Sequence, residues 1–390
     1  MTMHDYFELM AERNASDLVL SVGARPAMKV DGDMHALDEA PVDSARMNAL
    51  VGEVLDATQR AAFETQHERS LTLSHGDLGR FRLNLYRQRG ESAIAVRFVP
   101  HVIPGFEELH LPEVLKELVT LPRGLILVVG AAGSGKSTTL AAMIDYRNHH
   151  RSGHILSIED PIEYLHAHDK SVVDQREVGT DTDSLQAALR NALRESPDVI
   201  VIGEIRDRAA MEGALAFAST GHLCIATLHA VNASQALDSV LRFFTPDARD
   251  HVLFELSTHL KAVVSQRLLR AANGGRRLPA FEVMLQSTHV SELIAKGDVL
   301  RLQEAIKQGA DEGMITFEDS LLRLYRNRQI TLHEALAQAD SVADLKLRVR
   351  VSEPLTLSPR GEAEVAMRLV EQPAPSERPA TDTRLRYGPR

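Results

Sequence analysis

Apolar and polar residues alternate at a spacing of two through Gly79–Tyr86, where Phe81, Leu83 and Leu85 interleave with Arg80, Arg82, Asn84 and Tyr86. Successive side chains of a strand point to opposite faces, so this stretch predicts a strand with one core face and one polar face. Ser70–Ser74 and Ser92–Val99 predict its neighbours, set off by Gly76-Asp77 and by Gly90. Asp17–Val22 predicts a further strand, and Ala27–Leu37 a hairpin around Asp31-Gly32, a dipeptide that tolerates φ > 0. Residues 4–13 carry Tyr6, Phe7, Leu9 and Met10 on one side and predict a short amphipathic helix, with two more helices over Ser44–Leu55 and Thr58–Gln66. Residues 1–100 are therefore expected to form a small α+β domain on an antiparallel sheet.

Pro100, Pro104, Gly105 and Pro112 mark residues 101–112 as a linker, and the pattern then changes. Leu125–Val129 and Val199–Ile202 are continuous aliphatic runs of strand length, the mark of strands buried on both faces. His154–Ile158 and Leu223–Thr227 predict two more strands, and helical stretches lie between them. One of these, Asp183–Glu195, places Leu185, Leu189 and Leu193 at a spacing of four, with Asp181 and Thr182 as candidate caps. Beyond Phe281 the pattern is mostly helical to about Val349. Residues 113–350 are thus expected to be an α/β domain with a parallel sheet and a helical C-terminal part. Past Ser358 come five prolines and few large apolar residues, so residues 351–390 are expected to be a disordered tail.

One loop among these elements carries a fixed chemistry. Gly130-Ala131-Ala132-Gly133-Ser134-Gly135-Lys136-Ser137 follows the Leu125–Val129 run and precedes Thr138–Arg147, which holds no helix breaker, so a P-loop pattern sits between a strand and a helix. Gly130, Gly133 and Gly135 let the backbone N–H groups of the loop, Ser134 among them, curl around phosphate oxygens. The helix start at Lys136, Ser137 and Thr138 adds the positive end of its dipole. Lys136 is expected to reach the β- and γ-phosphates and the Ser137 hydroxyl to ligate Mg²⁺, which makes ATP and Mg²⁺ the implied ligands.

Carboxylates are expected at the same edge. Val199–Ile202 ends at Gly203-Glu204, and in P-loop enzymes the strand next to the P-loop delivers a carboxylate to the phosphate end of the site. Glu204 is placed either to polarise the attacking water or to hold Mg²⁺ through water. Ile158-Glu159-Asp160-Pro161-Ile162-Glu163-Tyr164 sets three acids after the preceding strand, for work on metal and water. His222 and His229 bracket the Leu223–Thr227 strand on opposite faces, and His229 falls at the carboxyl end, where it can contact phosphate.

Between Gly79 and Val99 stand five arginines, Arg80, Arg82, Arg87, Arg89 and Arg97, against one acid, Glu91. Two readings are open: a solvated sheet face, or guanidinium forks for a phosphate held by a neighbouring subunit, with Arg82 and Arg97 as the first catalytic candidates.

Composition narrows the class. A net charge of −10 over 390 residues argues against broad binding to nucleic acid. Cys224, the one cysteine, excludes an intramolecular disulfide and a multi-cysteine zinc site and suits a reducing cytosol. Met1–Tyr6 lacks the charged and apolar regions of a signal peptide, and no apolar run approaches the roughly 20 residues that span a bilayer. A cytoplasmic protein without direct membrane insertion, reaching the membrane only through partners, is expected.

The P-loop, Ile158–Tyr164, Gln175-Arg176-Glu177-Val178-Gly179, Gly203-Glu204 and Thr220–His229 together resemble the secretion ATPases of type IV pilus and type II secretion systems, over about residues 1–350. Within that family the chain is similar to the retraction branch of PilT and PilU proteins. The resemblance implies a PAS-like N-terminal domain joined to a RecA-like ATPase core, with six subunits in a ring on an inner-membrane pilus platform protein. It implies that Lys136 and Ser137 serve nucleotide and Mg²⁺, and that Glu204 is the catalytic glutamate of an atypical Walker B. It also makes Glu163 an acidic-box glutamate and His222 and His229 a histidine box. Assembly-type members carry a tetracysteine zinc module, which a chain with Cys224 alone lacks. PilT proteins carry Ala-Ile-Arg-Asn after a strand like Phe281–Leu285. Here His289-Val290-Ser291-Glu292 stands in its place, which favours a PilU-like accessory motor working with a PilT-type ATPase. Two functions follow: a motor that hydrolyses ATP to drive or assist pilus retraction in twitching motility, or a nucleotide-gated scaffold on such a motor with little turnover of its own.

Overall fold

The alternation around Phe81 lies at the heart of an antiparallel sheet. In the computed structural model, which describes residues 1–352 apart from Asp31, Gly76–Asp77, His101 and Arg276, the first six strands are β1 (Asp17–Ser21), β2 (Ala27–Val30), β3 (Asp33–Ala36), β4 (Glu68–His75), β5 (Gly79–Gln88) and β6 (Glu91–Pro100). They pair in the order β3-β2-β1-β6-β5-β4. Phe81, Leu83 and Leu85 are buried on one face with Tyr6, Phe7 and Met10 of the helix Met3–Glu12 and Met47 and Leu50 of the helix Ser44–Val54. The Phe81 ring stacks against Phe7 at 4.1 Å and Phe98 at 4.9 Å. Arg80, Arg82 and Asn84 occupy the other face of β5, as its period requires. Asp31, Gly76-Asp77 and residues 353–390, for which the sequence predicts a hairpin turn, a strand break and a disordered tail, lie outside the described residues, while Val351 and Ser352, also assigned to the tail, end the helix Val342–Ser352.

A second sheet carries the site. Its strands are β7 (Gly124–Val129), β8 (Gly153–Glu159), β9 (Ser171–Glu177), β10 (Val199–Ile202), β11 (Leu223–Leu228), β12 (Leu260–Leu269) and β13 (Leu278–Leu285), in the order β13-β12-β7-β11-β10-β8-β9. Leu125, Leu127 and Val129 of β7 pack with Met211, Ala214 and Phe217 of the helix Arg208–Ser219, while Ile126 and Val128 pack with Leu140, Met143 and Ile144 of the helix Lys136–His150. Helices on both faces explain why β7, β10 and β11 are apolar at almost every position. Phe106 and Leu111, from the stretch read as a linker, are buried in the second of these clusters. Residues Met1–Asp340 make one compact unit, and the helix Val342–Ser352 belongs to a separate one.

Three expectations need correction. The sheet is parallel except at β13, which runs antiparallel to β12: residues 270–277 between them are fewer than the dozen or so that a crossover needs, so the chain returns as a hairpin. Val199–Ile202 is not next to the P-loop strand, because the chain crosses through the helix Arg208–Ser219 and inserts β11 between β10 and β7. The helix read over Asp183–Glu195 is α-helical only over Leu185–Ala192, with a 3-10 turn from Leu193 to Glu195. Its cap is Ser184, which accepts the Ala187 N–H. Asp181 instead accepts the Glu177 N–H at 2.8 Å. No described helix is long and apolar enough to cross a membrane.

Candidate nucleotide site

Residues 130–135 leave β7 and turn into the helix Lys136–His150 against a wall formed by Gln266 of β12. A Cβ on Gly130 would lie 2.7 Å from the Gln266 carbonyl oxygen, and a Cβ on Gly135, whose φ is +90°, would lie 2.8 Å from Gln266 Nε2. Gln266 is held in turn, since its Oε1 accepts the Thr139 hydroxyl at 2.7 Å. Glycine therefore answers space at Gly130 and both space and backbone angle at Gly135. The Lys136 ammonium donates to the carbonyls of Gly130 and Ala131 at 2.9 and 3.0 Å. Burial depresses its pKa, while the charges of Glu204 and Glu163 hold it up. The Thr138 hydroxyl lies 2.9 Å from that of Tyr164.

A cavity of about 280 Å³ opens between this loop and the carboxyl ends of β8, β10 and β11. Gly133, Lys136, Ser137, Glu159, Asp160, Glu163, Glu204 and His229 line it, so residues far apart in sequence share one space. Glu204 Oε2 accepts the Arg206 Nε–H at 2.5 Å, and Oε1 pairs with His229 Nε2. Arg206 also donates to Asp160 Oδ2 at 3.2 Å. Glu159 accepts from Ser157 Oγ at 2.7 Å and Gln175 Nε2 at 3.1 Å, and burial raises its carboxyl pKa against those bonds. His166 lines the same cavity, and burial lowers its ring to about 4, so it is neutral at ordinary pH.

Other expected residues lie elsewhere. His222 stands at the amino end of β11, where its Nδ1 lies 3.0 Å from Thr220 Oγ1. Seven residues of strand separate it from His229 by roughly 20 Å, so the two histidines do not meet in one chain. Ser134 is buried against Gly130 and is not among the residues that line the cavity. Arg82 and Arg97 face each other across β5 and β6. With Arg80 they line a second cleft, between the antiparallel sheet and the turn after β9, rather than the cavity of their own chain. Arg82 pairs with Glu177 and Arg97 with Asp17. Gln266 and Arg206 are site residues that the sequence reading missed. For Arg206 a signal was present, a guanidinium two positions after the strand-end glutamate.

Among the described residues no group of three His, Cys, Asp or Glu side chains can hold a metal by itself. Mg²⁺ is commonly bound through one or two protein oxygens, waters and substrate phosphates. The half-buried Ser137 hydroxyl at the helix start, with carboxylates across the cavity, suits that mode.

Residues 103–298 match the family described as Type II/IV secretion system protein. The chain is 45% identical over 351 residues to the type IV pilus ATPase PilU of Pseudomonas aeruginosa, covering 90% of this chain and 92% of that protein. It is 38% identical to the pilus retraction ATPase PilT of the same organism, over 87% of this chain and 98% of that one. The crystal structure of the pilus retraction motor PilT with bound ADP superposes with a TM-score of 0.81 at 38% identity, covering 89% of this chain and 99% of that chain. The Legionella pneumophila ATPase DotB has the same fold, with a TM-score of 0.76 at 22% identity over 87% of this chain and 97% of that one.

Proposed function

The chain belongs to the type II/IV secretion ATPase family, in its PilT/PilU branch, and on that premise we propose that it works as a PilU-like accessory motor for type IV pilus retraction. It is an ATPase. The observation that carries the reading is the meeting of Lys136, from the P-loop, and Glu204, from the end of β10, across one cavity.

In the proposed cycle Lys136 exchanges its two carbonyl partners for phosphate oxygens of ATP, a stronger charge-assisted pairing. Mg²⁺, held through Ser137, supplies neutralising charge on the phosphates when bound. Glu204 accepts a proton from the attacking water as the water oxygen bonds to the γ-phosphorus and the bond to the ADP oxygen breaks. His229, paired with Glu204, keeps that carboxylate turned into the cavity, and Glu163 at the rim orients water.

A P-loop in one sheet and an arginine-lined cleft on another favour a closed homo-hexamer in which Arg82 or Arg97 completes the neighbour's site. Such a ring would sit at the cytoplasmic face of the inner membrane, on the pilus platform protein and beside a PilT-type ATPase. The complete set of P-loop and carboxylate groups favours a motor over a scaffold that only gates on nucleotide. Turnover by purified protein, alone and mixed with a PilT-type ATPase, tests this: a motor hydrolyses ATP by itself or raises the mixture above the partner's own rate. Nucleotide binding without turnover in either setting would leave the scaffold.

A further inference from the structure

Arg206 is held at the mouth of the cavity by ion pairs and little else. Its side chain is 61% exposed, and its guanidinium forks onto Glu204 Oε2 at 2.5 Å and Asp160 Oδ2 at 3.2 Å. The backbone on either side is fixed. Ile205 is buried and donates its N–H to the Thr227 carbonyl at 2.9 Å, and Asp207 caps the helix Arg208–Ser219. The side chain of Arg206 is thus the part free to move.

Two electrostatic facts bear on what it does. Glu204 has the Arg206 guanidinium on Oε2 and the His229 ring against Oε1, so an incoming water meets a carboxylate already engaged by its own chain. The cavity also sets four carboxylates, Glu159, Asp160, Glu163 and Glu204, against two strong cations. Lys136 and Arg206 are the only lysine and arginine among the described residues that line it. A triphosphate entering this space draws on both cations, and a planar guanidinium now shared by two carboxylates presents the same N–H edges to two phosphate oxygens. The pair with Asp160 is exposed on both sides and holds weakly, so what the γ-phosphate must displace is the single contact with the half-buried Glu204.

We infer that Arg206 is a further catalytic residue: its guanidinium leaves Glu204 and Asp160 for the γ-phosphate when ATP binds, and so frees Glu204 to take the proton of the attacking water. ADP has no γ-phosphate, so Arg206 stays on Glu204 after hydrolysis, and the same exchange distinguishes ATP from ADP. The freeing step rests on the reading of Glu204 as the base; the discrimination between nucleotides does not.

The test measures the dissociation constants of ADP and of a nonhydrolysable ATP analogue, with turnover, for the full chain and its Arg206→Ala and Arg206→Gln variants. The inference expects ADP affinity within about twofold of wild type, analogue affinity down by about tenfold, and turnover down by about 10²-fold, the scale of a lost transition-state donor. Equal losses for ADP and analogue would make Arg206 a strut between two loops and overturn the inference, as would wild-type turnover in either variant. Arg206→Gln keeps a donor for Glu204 and is read by the same affinities if Arg206→Ala fails to fold. Glu204→Gln that still turns over would overturn the base assignment and the freeing step together, whereas unequal affinities in the Arg206 variants would continue to support the contact with the γ-phosphate.

Discussion

Arg82 Nη2 lies 3.6 Å from Oε1 of Glu177, an ion pair that joins the antiparallel sheet to the edge strand of the parallel one. Glu177 is buried, and its Oε2 accepts the N–H of Ile162 in the acidic loop beside the nucleotide cavity. The arginine proposed for a neighbour's site is therefore moored in its own chain, within one hydrogen bond of the loop that carries Glu163. Arg97 is moored likewise, its Nε donating to Asp17 Oδ1 at 3.1 Å.

An arginine acting in trans predicts complementation. Variants lacking Lys136, and variants lacking Arg82 or Arg97, are each expected to be inactive, since such a finger supplies about 10³ to 10⁵ in rate. In mixed hexamers, with assembly followed by light scattering, some interfaces pair an intact P-loop with an intact arginine. Part of the activity is expected to return. No recovery in rings shown to be mixed, for each of the five arginines between Arg80 and Arg97, would leave the cluster as a solvated face.

Gly135→Ala tests the wall behind the P-loop. An L-residue at φ +90° costs about 1–2 kcal/mol, and the new Cβ would stand 2.8 Å from Gln266 Nε2, whose amide moves only by loosening its bond to Thr139. Nucleotide affinity is expected to fall by about tenfold, the ratio that 1.4 kcal/mol represents, while the far-ultraviolet circular dichroism is unchanged. Wild-type affinity would contradict the tight approach of the loop to Gln266.

His166 predicts a pH dependence of stability. Burial lowers its ring from 6.5 to about 4. Below pH 6.5 the unfolded chain therefore binds a proton that the folded chain still refuses, and stability falls with falling pH until the folded ring also titrates near 4. The loss amounts to at most about 3 kcal/mol from this one group. Chemical unfolding of His166→Gln is expected to show a shallower decline than wild type between pH 6.5 and 4. Equal slopes would contradict a buried neutral ring.

The contrast between legible and hidden parts follows from the range of each contact. Leu125–Val129 and Val199–Ile202 were legible because strands buried on both faces admit only apolar residues. Lys136, Ser137, Glu204 and His229 followed from the loop pattern and the strand ends. β9 was not legible: as an edge strand it alternates buried Ser171 and Val173 with exposed Val172 and Asp174, and its Gln175 bonds Glu159 and the Tyr164 carbonyl. Gln266 bonds a residue 127 positions earlier and Arg206 one 46 positions earlier, separations that leave no local pattern. The place of β11 between β7 and β10 is likewise decided by the crossover helix and not by the strand's own residues.

Lys136 and Glu204 line one cavity, and the roles proposed for them on a bound nucleotide are measured by one pair of variants. Lys136→Ala is expected to keep its fold and lose ATP hydrolysis, because losing a phosphate cation in a water-poor site costs about 3 kcal/mol or more of transition-state stabilisation. Glu204→Gln is expected to bind ATP with near wild-type affinity, since Lys136 and Ser137 remain, and to stall before hydrolysis. ATP binding and turnover measured side by side on these two proteins give the most direct answer. Binding without turnover in Glu204→Gln is the predicted result, and wild-type hydrolysis by that variant, or a folded protein that no longer binds ATP, would contradict it.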